Sequence, residues 1–154
     1  MMQVYKAKTS RRSKGEYRWV VGYTVPMEAL TKSYEDNRIN EFYCKIINES
    51  AATTEVQIST LCRYTEIDYK DQNVFENDVI REWVKDDQEP GGGAWSYSVI
   101  KMHQGSWCVC GINYEYSEPE PLWDRLGEDF EIYGSLLDHP ELVNNGTQPS
   151  DRLQ

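Results

Sequence analysis

Apolar and polar residues alternate with a period near two along most of the chain, the spacing that places one face of a strand against a core. Residues 3–8 (QVYKAK) and 17–24 (YRWVVGYT) show it loosely, and SRRSKG between them supplies turn residues, so they predict a first hairpin. Gly22 inside the second strand predicts a bulge or a close approach of backbone. Residues 26–40 sustain no stripe of either period and read as a loop with at most one helical turn. Residues 41–47 (EFYCKII) place Phe42, Cys44 and Ile46 on one face of a strand, and 53–57 offer another.

The middle of the chain is more explicit. A polar turn over Lys70 to Asn73 precedes Val74 and Phe75, then a tight reversal at Glu76, Asn77 and Asp78, then a strand from Val79 to Val84. Asn77 tolerates the left-handed backbone such a reversal needs, and the Asp78 carboxylate can accept nearby backbone amides. KDDQEPGGGAW reads as an exposed hairpin loop. Residues 95–102 and 106–112 predict a further hairpin through HQG, with Trp95, Tyr97 and Val99 on one face, and Trp107 and Val109 on one face of its partner. A short helix is expected after Pro121, a strand over 130–137, a helical turn opened by His139 and Pro140, and a flexible tail over 144–154.

Composition narrows the class. A chain of 154 residues favours one domain, and a small two-part arrangement is also compatible with that length. Eleven Tyr and five Trp lean the composition towards strands. No apolar run is long enough to span a bilayer and no apolar stretch follows the basic residues near the start, so a soluble cytoplasmic protein with reduced Cys44, Cys62, Cys108 and Cys110 is expected. The formal charge of −10, weighted towards the second half, sets a field that repels phosphate, so direct nucleic-acid binding is disfavoured. Arg11, Arg12 and Lys14 form a local basic cluster at an expected loop tip.

Three blocks of the chain resemble the YopX family, small proteins of bacteriophages and prophages. They are YRWVVGYTV in the first hairpin, RYTEIDYKDQNVFENDVI in the centre and FEIYGSLLDHPELV near the end. Tyr64, Thr65, Ile67, Phe75, Glu76, Asp78, Val79 and Ile80 match the central pattern; Gly134, Pro140, Glu141 and Leu142 match the closing one. Glu66 and Asn77 stand where the family pattern has glycine, and the polar turn is one residue shorter, which makes the chain a divergent relative. The resemblance implies a mainly β fold: one domain over residues 1–143, with an SH3-like, partly open barrel core over about 61–137, an N-terminal hairpin and short helical turns. It brings no activity.

Candidate chemistry is sparse. Cys108 and Cys110 on one face of an extended strand stand about 7 Å apart. A tetrahedral zinc wants its sulfurs roughly 3.8 Å apart, so strand thiols are the expected reading, with no metal and no cofactor. His103 and His139 are the only histidines, and no nucleophile elbow, Walker loop or dinucleotide fingerprint accompanies them. The sequence points to no catalytic residue. The better lead is aromatic: Trp95, Tyr97, Trp107, Tyr114 and Tyr116 surround the last hairpin, and any left out of the core would form a binding surface. The function expected is a non-enzymatic accessory protein that binds a host or phage protein, with self-association a further option. An acidic mimic of nucleic acid that occupies a host DNA-binding protein and a metal- or His-dependent hydrolase are the alternatives.

Overall fold

The computed structural model describes residues 3–28, 39–112 and 118–144. The chain is mainly β and its strands form two antiparallel sheets. It divides into two compact units, Met1–Ile67 and Asp68–Gln154.

In the first unit, β1 (Tyr5–Lys8) pairs with β2 (Trp19–Glu28), Tyr5 opposite Gly22 and Lys8 opposite Trp19. The expected hairpin is present and its second strand is longer than expected. β2 runs through Pro26 and pairs with β3 (Ile39–Ile47), which pairs in turn with β4 (Thr53–Gln57). The loop expected from residue 26 therefore begins later: Pro26 lies opposite Cys44, and the register shifts between Pro26 and Glu28, beside the missing N–H. Residues 29–38, where a helical turn was expected, lie outside the described residues. Gly22 does mark a close approach, since a Cβ there would run into the Ile47 carbonyl. The sheet curls until the end of β1 meets β4, with a bridge between Thr9 and Val56 and a Ser10 N–H donated to Glu55 O at 3.0 Å. Ala7, Cys44, Ile46 and Val56 form its sealed centre. Phe42, of the expected apolar face, is 72% exposed and adds nothing to that centre.

β5 (Cys62–Tyr69) flanks β1 through Arg63 opposite Tyr5. It bends at Glu66, whose φ is +63°, and Thr65 Oγ1 accepts the Ile67 amide at 3.1 Å across the bend. The next reversal is tighter than the four-residue turn expected. Lys70 and Asp71 alone make it, both with positive φ, and Gln72 and Asn73 already belong to β6 (Gln72–Phe75).

In the second unit, β7 (Asp78–Lys85), β8 (Gly93–His103) and β9 (Ser106–Gly111) form a meander. β11 (Glu131–Ser135) closes one edge, and β10 (Glu120–Pro121), a two-residue strand not foreseen from sequence, the other. The Gly-rich segment and HQG are the hairpin loops expected, the second turning on Gln104 and Gly105. α1 (Leu122–Arg125) follows Pro121, buries Leu122 and packs on β9 and β10. After β11 a 3₁₀ turn over Leu136–Asp138 leads to α2 (Glu141–Asn144), whose Leu142 enters a core with Val79, Val99 and Ile112. The expected tail lies outside the described residues from 145 on. Among the described residues, no helix is long and apolar enough to cross a membrane.

Asn77 joins the central and closing blocks. Its φ is +68°, its amide donates to Ile100 O at 2.9 Å, its carbonyl accepts from Leu136 N at 2.7 Å, and its Oδ1 accepts from Lys101 Nζ at 2.9 Å. The buried Asp78 carboxylate takes the Phe75 amide at 2.8 Å, the structural part anticipated for it.

Candidate functional site

Residues opposite one another across an antiparallel pair point to the same side of a sheet. In the second unit Trp83 faces Trp95, Arg81 faces Tyr97, and Val79 faces Val99. Glu131 of β11 faces Arg81, and a register shift between Ile132 and Gly134 bulges Tyr133 onto the same side. One face of the sheet therefore carries a ladder of rings around a guanidinium.

Trp83 and Trp95 meet edge to face at 5.3 Å, and Tyr97 and Tyr133 do the same at 5.4 Å. Arg81 lies between the two pairs, 4.0 Å from the Trp95 ring centre and 4.7 Å from that of Tyr133. It is also hydrogen-bonded to Glu131 and Tyr97. Partial burial pulls the Arg81 pKa down, and those hydrogen bonds outweigh it, so the group is held in its charged form. Gly93 makes the ladder fit, because a Cβ there would lie 2.7 Å from the Trp83 ring. Trp83 remains 46% exposed and Tyr133 36%, so the ladder is open to solvent at both ends. His139 tilts against Tyr133 at 4.7 Å and its Nδ1 lies 3.3 Å from Glu141. Beside Arg81 and Tyr133 a groove of about 580 Å³ runs along Tyr69, Lys70, Gln72 and Phe130.

The other side of this sheet is different in kind. Arg125 from α1 donates to Glu82 at 2.6 Å, to Glu128 at 2.7 Å and to Glu120 at 3.3 Å, with only 11% of its side chain exposed. Burial lowers its pKa and the contacts with Glu82 and Glu128 more than restore it. The cavity it borders, about 320 Å³, is floored by Ser96, Ser98 and Gly111.

Of the aromatic residues expected to bind, Trp95 and Tyr97 belong to the ladder. Trp107 pairs with Met102 and lies on the opposite side of the sheet, and Tyr114 and Tyr116 fall outside the described residues. Trp83, Arg81 and Tyr133 were not singled out from sequence. The available signal was the placing of Trp83 and Trp95 on either side of the Gly-rich loop, which brings them opposite each other in a hairpin. Among the described residues, no group of three or more His, Cys, Asp or Glu is arranged to hold a metal. Burial raises the Cys110 pKa, with Cys108 beside it adding to the shift, which disfavours the thiolate a metal or nucleophile role requires. His103 ends β8 opposite Ser106 and His139 sits in the closing turn. In comparisons with known proteins the chain matches no family model, no curated sequence and no solved structure.

Proposed function

We propose that this chain is a divergent YopX-like accessory protein of a phage or prophage, acting without catalysis in the host cytoplasm by binding a host or phage protein through its ring ladder. The observation that carries this reading is the half-exposed set Trp83, Trp95, Tyr97 and Tyr133 around Arg81 on one sheet face. Large rings held at fixed angles by each other and by a guanidinium give contact area at little entropic cost, the property that makes such residues dominate interfaces. We further read the second unit's meander, closed by the bulged β11, as the SH3-like, partly open barrel.

Backbone geometry supports the family reading. Glu66 and Asn77, which replace glycines of the family pattern, both have positive φ, +63° and +68°. That is the region where glycine is strongly preferred. The central and closing blocks also meet, through the backbone of Asn77.

The test is affinity capture from lysate of a bacterial host with the native chain and with Trp83→Ala and Tyr133→Ala. A stoichiometric protein retained by the native chain in high salt and lost from both variants is the expected result. Equal capture by all three removes the ladder from the function, and recovery of the chain itself as the sole salt-resistant partner redirects it to self-association.

A further inference from the structure

The formal charge of −10 conceals a segregation. Between residues 6 and 18 the chain carries Lys6, Lys8, Arg11, Arg12, Lys14 and Arg18 against the single carboxylate Glu16. Lys6 and Lys8 lie on β1, and the structure places the other four cations on the arm that extends from it. Beyond β1 and β2 the two strands continue as a ribbon, with Thr9 N–H donated to Arg18 O at 2.9 Å and Ser13 and Glu16 exchanging amide bonds at 2.7 and 3.1 Å. The ribbon closes on Lys14 and Gly15, both with positive φ, the two-residue turn that suits the twist of a hairpin. Every residue from 11 to 18 is exposed. The base is fixed: Thr9 is buried, bridges to Val56 and takes the Gln57 side-chain amide at 2.9 Å through its carbonyl.

We infer that this arm is a contact for the phosphate backbone of duplex DNA, with the two-stranded ribbon lying in the major groove. Charge complementarity selects a polyanion, and three features choose among polyanions. A two-stranded ribbon has the width of the major groove. The rings on the arm carry the chain's own cations, with Arg12 over Tyr17 at 5.1 Å and Lys6 and Lys8 over Trp19 at 4.8 and 5.4 Å, so they are poorly placed as stacking platforms for unpaired bases. The tip, RRSKGE, has no apolar residue to insert into a lipid surface. The acidic remainder of the chain keeps DNA away elsewhere and confines the contact to the arm. Binding is therefore independent of sequence and steeply dependent on salt. Four arm cations, Arg11, Arg12, Lys14 and Arg18, give a slope of log K against log salt of roughly −3 to −4.

Fluorescence anisotropy of a short labelled duplex of mixed sequence, titrated with the full chain at several salt concentrations, tests this. The native chain is expected to bind at low salt with that slope. Arg11→Glu together with Arg12→Glu should weaken binding by at least about 100-fold, while Glu55→Gln, outside the arm, should change it less than about threefold. Because residues 11 and 12 are exposed, circular dichroism of the double variant should match the native chain. Four results would overturn the inference. These are no binding at low salt, binding indifferent to the arm charges, tighter binding of an oligothymidine single strand than of the duplex, and capture by phosphatidylglycerol vesicles without capture by the duplex.

Discussion

Arg81 and Arg125 lie on opposite faces of one five-stranded sheet, and each is ion-paired, yet they do different work. Arg125 is enclosed by three carboxylates from β7, β10 and the segment after α1, so it ties three parts of the chain together. Arg81 has one carboxylate and spends its planar surface on two rings. The number of carboxylates in reach separates the two roles. With three, the guanidinium is a structural rivet whose loss leaves like charges crowded together; with one, its faces are free to order aromatic side chains for display.

Arg125→Ala removes the rivet and should have the largest effect. It should cost about 2 to 3 kcal/mol in urea unfolding, below the usual range for a broken buried pair because the carboxylates reach solvent. Gly93→Ala is next. Its Cβ collides with Trp83, so about 1 to 3 kcal/mol should be lost and the emission of the Trp83 and Trp95 pair altered. Arg81→Gln removes a stacked cation without uncovering a buried cluster, and about 1 kcal/mol is expected by the same unfolding measurement. Glu66→Gly should raise stability by about 0.5 to 1 kcal/mol, because the bend no longer holds a side chain in the left-handed region. Asn77→Gly should gain less, since Asn tolerates that region and the Lys101 contact is lost.

The smallest effect is at Lys70 and Asp129, 2.6 Å apart and open to water. The hydrogen bond from Lys70 holds the Asp129 pKa below its ordinary value. A depressed folded pKa adds stability that is present above the unfolded value and lost as pH falls through the folded one. Carboxyl NMR titration should place Asp129 below the usual aspartate range, and Lys70→Gln should return it there.

Much of the strand order was legible in the sequence because turn chemistry punctuates it. Asn77 and Asp78, Gln104 and Gly105, and the Gly-rich loop each reverse the chain where their residue types predict. The passage of β2 through Pro26 was not legible: proline argues against a strand, and pairing with β3 overrides it beside a register shift. The ladder was half legible. Trp95 and Tyr97 alternate visibly along one strand, whereas Trp83 and Arg81 join them only through the β7 to β8 register. Tyr133 joins through a bulge beside Gly134, the signal that a glycine inside a strand carries and that was read only at Gly22.

The pairing of Tyr5 with Arg63 has a consequence for how the chain is made. On the ribosome β1 can meet β2 early, but its other neighbour exists only once residue 63 has left the exit tunnel, and closing so long a loop is slow. The meander of β7, β8 and β9, by contrast, joins strands consecutive in the chain, and each hairpin can form as it emerges. A ribosome pausing once β4 has emerged, with residue 63 still inside the tunnel, would hold the first sheet with β1 as a bare edge, the exposed species most open to capture by a chaperone or by another nascent chain.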